Sequence, residues 1–317
     1  MIGIEYYAVV LLVYFFTDLL AVWGLNLEFG VAGVANLAYI VVIAAGAYTY
    51  AVLTLGPSSA GGGFQTYIIG ASLPFPVALV ASMAVGVVVG ILIGVTGLRR
   101  LRPDYQAMVM LVVSLMAASV VSSDKALVNG NAGLSLIPAP FDLINDPNGP
   151  WYYVAVVVVC CGIGFVVMRR LTTGPIGRTL RAMRDDEYAV AAVGRSVMKL
   201  RLVVQGVGGA LGALSGALLV AFIGGWSPGA WAVVETLALL TAVIVGGRAN
   251  DLGATVGALV IPILILQGVQ FLPHIANHPG LTEDIGWIVL GVMTIVFVWV
   301  RPSGIVPERR PRYGSRD

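Results

Sequence analysis

Charged side chains are scarce in this sequence of 317 residues, of which 11% are charged and 58% are hydrophobic. Soluble globular domains carry about a quarter charged residues, so this composition excludes an ordinary soluble protein. The mean hydropathy of +0.93 and several long apolar runs instead predict a protein of the lipid bilayer.

Groups suited to disulfide formation, metal binding or nucleotide binding are also rare. Cys160 and Cys161 are adjacent, and neighbouring Cα atoms about 3.8 Å apart are too close for an ordinary disulfide. His274 and His278 lie between prolines with no third ligand nearby, which predicts no metal site. No phosphate-binding G-x-x-x-x-G-K-[ST] motif occurs. We therefore predict a chain that is not an enzyme and binds no cofactor itself.

Nine apolar runs are long enough to cross a membrane as helices. A helix rises 1.5 Å per residue, so ~20 residues cross a hydrocarbon core ~30 Å thick. Hydrocarbon offers no hydrogen bonds to the backbone, and the runs lack the alternation of barrel strands. The predicted fold class is an all-α polytopic membrane protein with about 8–10 transmembrane helices in one domain, 1–317. The runs lie near residues 6–25, 31–55, 74–98, 105–123, 151–171, 201–223, 231–247, 253–272 and 285–300.

The basic residues predict an orientation. If the nine spans alternate, 17 of the 18 Lys and Arg residues fall on one side, which the positive-inside rule assigns to the cytoplasm. That side holds Arg99, Arg100 and Arg102, a loop at 172–200, Arg248 and the tail 301–317. Only Lys125 lies outside, and the N-terminus is then external; a re-entrant or broken segment within 31–55 would reverse the side of the N-terminus. Glu5 stands where a signal peptide would be basic, so the first run is expected to remain as a span.

The longest predicted external segment is the loop 124–150, which is rich in Asn, Gly, Pro and Asp. Loops of this kind carry function when a rigid scaffold presents them. The segment is either a contact site for an external protein or a plain connector.

Eight of the eighteen basic residues lie in one polar segment, Arg169–Arg201. Placing eight such charges in hydrocarbon would cost on the order of 20 kcal/mol, so residues 172–200 are predicted to form a cytoplasmic loop. Gly174–Pro175 ends the preceding helix, and a new helix is predicted to begin near Gly177. Gly194 can supply the turn that returns the chain to the membrane.

The helix in this loop is predicted to be amphipathic. Ile176, Leu180 and Met183 share one face by their helical spacing. The remaining surface carries basic residues followed by an acidic cluster. Basic residues and an apolar face suit a helix lying on anionic lipid, but the acidic cluster would be repelled there, which favours docking onto another protein. The residues singled out for such contacts are Arg178, Arg181, Arg184, Asp185, Glu187 and Gly194.

Two runs contain glycine at every fourth position. Glycines stacked on one helix face allow neighbouring helices to approach closely. We favour tight static packing over a moving helix pair. The two ladders are Gly86, Gly90 and Gly94, and Gly208, Gly212 and Gly216.

Acidic residues inside the predicted spans are limited to Asp18 and Glu235. A charge near the bilayer centre costs ~2.5–3.5 kcal/mol, so such residues are functional candidates. Two are too few for a proton relay, which disfavours a secondary transporter, and no cluster of catalytic side chains favours a membrane enzyme.

Five stretches of sequence, in order along residues 18–307, carry a resemblance to a known family. In chain order they are GLNLEFGVAGVANLAYIVVIAAGAYTYAVL, LRPDYQAMVMLVVS with NGNAGLSLIP, GPIGRTLRAMRDDEYAVAAVGRSVMKLRLVV, ETLALLTAVIVGGRANDLGATVGA and VRPSGIVP. The third stretch resembles the cytoplasmic coupling loop of branched-chain amino acid ABC transporter permeases of the LivM type. The other four resemble further segments of that family.

The resemblance implies a type II-like ABC importer permease in the plasma membrane of a bacterium or archaeon. It implies a second, LivH-like permease subunit, two cytoplasmic ATPases that bind ATP and Mg²⁺, and an external substrate-binding protein, with no nucleic acid partner. The loop 172–200 would then receive force from the ATPases.

The resemblance also implies branched-chain amino acids as the cargo. The candidate pathway residues are Asn36, Tyr39, Ser114 and Glu235. The family often has a Ser-Leu-Gly-His run where this sequence has Asn36 to Tyr39, and frequently Glu in place of Ser114. These departures leave urea, short amides or a simple sugar open as cargo, and a secondary transporter open as the transport class.

Overall fold

The computed structural model describes residues 3–57, 65–97, 103–141, 143, 146, 148–230, 233–268 and 281–308. Three features of the sequence analysis lie outside these residues: the basic cluster 99–102, the two histidines of 271–280, and the tail beyond residue 308. Within the described residues the chain is helical apart from loops and one pair of two-residue strands. The predicted all-α class is confirmed.

Nine apolar helices correspond to the nine predicted runs. Among the described residues, five are long and apolar enough to cross a membrane, and four apolar helices are shorter. Because five described helices are long and apolar enough to span, the chain is a multi-pass membrane protein. The helices are α1 Gly3–Leu25, α2 Tyr39–Thr54, α3 Phe75–Gly97, α4 Pro103–Ser123, α5 Lys125–Val128, α6 Gly149–Thr173, α7 Pro175–Asp185, α8 Glu187–Ala192, α9 Val197–Ile223, α10 Val233–Gly246, α11 Asp251–Ala258 and α12 Leu281–Val300.

Two apolar helices change their hydrogen-bonding pattern along their length. Helix α1 continues as a π-helical segment, Asn26–Val31, and α11 continues as a second one, Leu259–Gln267. A π-helical segment widens the helix and changes which side chains face inward, and such segments are frequent at functional sites.

The predicted run 31–55 is broken near its start. The π-helical segment ends at Val31, and α2 begins only at Tyr39. Gly33 has φ +74°, a conformation that favours glycine. The Asn36 side chain accepts a hydrogen bond from the Ala38 amide at 3.0 Å, which satisfies the backbone where α2 starts. The span is therefore shorter than its hydrophobicity suggested.

Helix α9 lies at the centre of the bundle and is the most completely buried of the five long helices. The glycine ladder of α3 faces α9, where a Cβ would meet the backbone or side chains of Gln205, Gly209 or Ala213. The ladder of α9 faces the opposite flank, where a Cβ would meet Glu28, Tyr39 or Ile43. Small residues therefore let α9 contact α3 on one side and the α1–α2 region on the other.

The loops fall into two groups at opposite ends of the long helices α6 and α9. At one end, β1 (Leu134–Ser135) pairs antiparallel with β2 (Gly225–Trp226), so the segment predicted to be external covers the end of α9. At the other end lie α7, α8, the turn between α10 and α11, and residues 301–308. The described parts of the loops predicted to share a side, which are 172–200, the turn with Arg248 and 301–308, thus lie at one end of the bundle.

Candidate functional site

The segment between α6 and α9 forms an elbow of two short helices. Gly174 is extended and Pro175 occupies the first turn of α7, where its missing N–H costs no hydrogen bond. Asp186 is extended, and its carboxylate accepts hydrogen bonds from the Tyr188 amide at 2.8 Å and the Ala189 amide at 3.1 Å. This N-cap starts α8, so the helix predicted to begin near Gly177 ends at Asp185 and a second short helix follows it.

The turn at the end of α8 lies at Gly194, as the sequence analysis placed it. Gly194 has φ +75°, and its amide donates to the Ala191 carbonyl at 3.0 Å. The Arg195 amide donates to the Val190 carbonyl at 3.2 Å, which completes a Schellman motif. A Cβ on Gly194 would have no atom within 4 Å, so backbone conformation rather than crowding favours glycine there.

The apolar face of α7 packs onto the chain itself. Leu180 and Met183 are both buried and belong to the same cluster as Leu27 and Val31 of the π-helical segment. Ile176, which was predicted to share this face, is instead exposed. The elbow is thus seated on the end of α1 rather than lying free.

Arg181 and Arg184 bind groups of this chain. Arg181 donates to the Thr172 carbonyl at 3.2 Å and pairs with a Glu308 oxygen at 3.2 Å. Arg184 donates to the Gly30 carbonyl at 2.7 Å and to the other Glu308 oxygen at 3.0 Å. The docking contacts predicted for these two arginines stay predictions, and their observed partners lie within the chain.

The remaining predicted coupling residues divide into paired and exposed groups. Glu187 on α8 forms an ion pair with Arg201 on α9, which ties the elbow to the central helix. Arg178 and Asp185 are exposed, and Asp185 also pairs with Arg184 at 3.4 Å. Tyr188 is 89% exposed and Val193 is 76% exposed, although the sequence analysis did not single them out. We call Arg178, Asp185, Tyr188 and Val193 the exposed elbow residues.

A buried polar cluster lies where α1 gives way to α2. Asn36 donates a hydrogen bond to a Glu28 oxygen at 2.8 Å, and Tyr39 donates to the Gly208 carbonyl of α9 at 2.9 Å. Glu28 is fully buried, and its other oxygen has no hydrogen-bond partner among the residues that the structure describes. Two of the four candidate pathway residues therefore belong to one cluster around an acid.

Glu28 was not among the predicted pathway residues, because residues 26–30 fall between the first two apolar runs. No charged residue other than Glu28 lies between Asp18 and Arg99, so an isolated acid among apolar neighbours was the available signal. The acids within spans are therefore Asp18, Glu28 and Glu235, rather than two.

The other two candidate pathway residues lie apart from this cluster's hydrogen bonds. Glu235 is in the first turn of α10, and its neighbour Thr236 accepts a hydrogen bond from the Ile40 amide at 3.1 Å. The start of α10 thus lies against the start of α2. Ser114 is buried in α4, with no hydrogen bond to Glu28, Asn36 or Tyr39 in the described part of the chain.

Asn36→Asp is expected to destabilise the protein by about 2 kcal/mol, because it replaces the amide donor to buried Glu28 with a second carboxyl group. Thermal unfolding of the detergent-solubilised chain measures this change. The double variant Glu28→Gln with Asn36→Asp restores a donor and an acceptor, and is expected to recover most of the loss. A melting temperature of Asn36→Asp equal to that of the unmodified chain would contradict the role of this hydrogen bond.

Comparison with known proteins identifies the family. The family described as "Branched-chain amino acid transport system / permease component" matches residues 7–298, which is nearly the whole chain. The chain belongs to this permease family. The elbow and the buried cluster both lie within the matched residues.

The permease has relatives over most of its length. It is 27% identical over 309 residues to the "Probable branched-chain amino acid transport permease protein LivM" of Methanocaldococcus jannaschii, covering 90% of this chain and 89% of the relative. It is 27% identical to the "High-affinity branched-chain amino acid transport system permease protein LivM" of Escherichia coli, covering 91% of this chain and 67% of the relative.

A partial relative has a different cargo in its name. The "Xylose transport system permease protein XylH" of Haemophilus influenzae is 29% identical over 166 residues, covering 51% of this chain and 41% of the relative. No solved structure shows significant similarity to the permease.

Proposed function

We propose that the permease is the membrane subunit of an ATP-driven importer of branched-chain amino acids. The observation that carries the proposal is the family match over residues 7–298. The relatives that cover nine tenths of the chain are named for branched-chain amino acids, whereas the xylose relative covers 51% of it. The full-length likeness favours amino acids over sugars, urea or amides.

The proposed complex contains a second permease, two ATPases and an external substrate-binding protein. The permease is then a transport subunit without catalysis of its own, and ATP and Mg²⁺ bind to the ATPases. The positive-inside rule supports a cytoplasmic location for the elbow and for the C-terminus, because Arg178, Arg195 and Arg301 are exposed at the same end of the bundle.

The elbow is suited to receive force because it has an exposed part and an anchored part. Tyr188 and Val193 are exposed, and aromatic side chains are favoured anchors at protein interfaces. Leu180 and Met183 are packed on the end of α1, and Glu187 is paired with α9. A displacement of the elbow by the ATPases would therefore reach α1 and α9 directly.

The ATPases can change the side to which the pathway opens only if they bind the elbow with different affinity in their two states. Equal affinity would leave the populations of the two conformations of the permease unchanged. The α1–α2 break is the nearest deformable element, because the π-helical segment and Gly33 interrupt regular helix there. The cluster of Glu28, Asn36 and Tyr39 lies beside this break, and in the proposed mechanism it would supply polar groups to the pathway.

Uptake of radiolabelled leucine into proteoliposomes that contain the complete complex tests the proposal. We expect uptake that requires ATP, the binding protein and both ATPases. A parallel thermal-shift measurement on the binding protein should show stabilisation by Leu, Ile or Val. Uptake by this permease without ATPases would favour a secondary transporter. Stabilisation of the binding protein by sugars, urea or amides alone would overturn the cargo.

A further inference from the structure

The chain after α12 returns to the bundle as a strap, which we define as Arg301–Glu308. The Ile305 amide donates to the Val245 carbonyl at 2.8 Å, and the Val306 amide donates to the Gly246 carbonyl at 3.0 Å. The Asn250 side chain donates to the Pro307 carbonyl at 3.0 Å. These bonds fix the strap across the turn between α10 and α11.

Two glycines allow the strap to lie against this turn. Gly247 has φ +124° and Gly304 has φ +76°, and both conformations favour glycine. A Cβ on Gly247 would collide with the Val306 carbonyl, and a Cβ on Gly304 would collide with the Gly247 backbone. The backbone contact between them determines where the last described residue of the strap, Glu308, is placed.

Glu308 lies between Arg181 and Arg184, the two arginines of α7 that face the rest of the bundle. Its oxygens lie 3.2 Å from Arg181 Nε and 3.0 Å from Arg184 Nη2. The exposed fractions of the Glu308, Arg184 and Arg181 side chains are 17%, 20% and 33%, so solvent screens this pair less than an ordinary surface ion pair. Arg184 also donates to the Gly30 carbonyl at 2.7 Å. The strap, the elbow and the end of α1 thus meet at Arg184.

A cavity of about 510 Å³ lies beside this junction. Its lining includes Gly30, Gly33, Arg184, Ser303 and Glu308. Because there is open space next to Arg184, the position of its guanidinium depends on its polar partners, which are the Gly30 carbonyl, Asp185 at 3.4 Å and Glu308. Of these, Glu308 is the partner that ties Arg184 to the strap.

We infer that Glu308 is a positioning residue that fixes the coupling elbow to the end of α1, so that force on the elbow moves the transmembrane helices. The inference rests on the proposed function of the elbow. Loss of the carboxylate would let α7 shift relative to Gly30 when an ATPase pulls on it. ATP hydrolysis would then continue while less of it produced transport.

The test compares Glu308→Gln with the unmodified permease in the complete transporter. Leucine uptake and ATP hydrolysis are measured in the same proteoliposomes, and we expect uptake per ATP to fall about fivefold in Glu308→Gln. Glu308→Asp keeps the charge and is expected to retain most of the ratio. The matched control is Arg301→Gln, which removes an exposed charge from the same strap and should leave the ratio unchanged. An unchanged ratio of uptake to ATP hydrolysis in Glu308→Gln would overturn the inference, whether both rates stay the same or both fall in equal proportion.

A second measurement does not depend on transport. In the detergent-solubilised permease alone, trypsin is expected to cleave within residues 172–200 about threefold faster in Glu308→Gln than in Arg301→Gln, because the elbow is less firmly seated. Equal cleavage rates would overturn the positioning role. Absence of ATP-dependent uptake in the unmodified complex would instead overturn the proposed function, so the two failures are distinguishable.

Discussion

Gly46→Leu is expected to destabilise the permease by more than about 3 kcal/mol, the upper end of the cost of overpacking. Gly46 lies where α2 crosses α9, and a Cβ at this position would collide with the backbone of Ala213. A backbone cannot rotate aside as a long side chain can, so the two helices would have to separate and lose the contacts on either side of the crossing. Thermal unfolding of the detergent-solubilised chain, followed by size-exclusion chromatography, measures the loss.

Gly162→Leu is the matched control for this prediction. Gly162 is also in the interior of a long helix, α6, but a Cβ there would have no atom within 4 Å. Both substitutions replace glycine by a good helix former, so any difference between them arises from the α2–α9 contact. Equal melting temperatures of the two variants would show that α2 and α9 do not approach as closely as the structure places them.

The number and approximate positions of the apolar helices among the described residues followed from the sequence, because the bilayer requires long apolar segments with internally satisfied backbones. A broken segment within 31–55 was open as an alternative, but the position of the break before Tyr39 did not follow, because Val31, Val34 and Leu37 keep the run apolar through it. What ends the helix is the backbone conformation of Gly33 and the hydrogen bond from the Ala38 amide to Asn36. Hydropathy averaged over a span does not detect such local effects.

The position of the elbow also followed from the sequence, because its charges cannot enter hydrocarbon. The sequence did not show which of the elbow's arginines would bind other groups of the same chain. Arg178, Arg181 and Arg184 recur every three residues, so helical periodicity puts them on one side of α7. The partner that separates Arg181 and Arg184 from Arg178 is Glu308, 124 residues after Arg184, and pairing over that distance depends on the tertiary fold. The same holds for Glu187, whose partner Arg201 lies on the next long helix.

Tyr188→Asp is expected to reduce the amount of ATPase that co-purifies with the permease by at least about tenfold. Tyr188 is the most exposed of the large hydrophobic side chains among the described residues, at 89%, and it projects from α8 at the end of the bundle that carries the exposed arginines. Large aromatic residues supply much of the binding free energy of an interface when a partner covers them. A carboxylate in the same place would lose the apolar contact and carry a charge into the covered surface. Tandem affinity purification with quantification of both chains measures the ratio.

Two further variants separate a docking defect from general damage. Tyr188→Phe keeps the aromatic ring and is expected to retain most of the ATPase, because the hydroxyl contributes less than the ring. Leu136→Asp changes an equally conspicuous side chain, 82% exposed, at the opposite end of the bundle, and should leave ATPase binding unaltered. Since Tyr188 is almost fully exposed, its substitution should not lower the melting temperature of the isolated permease. Full retention of the ATPase by Tyr188→Asp would place the docking site elsewhere and remove the elbow from the proposed path of force.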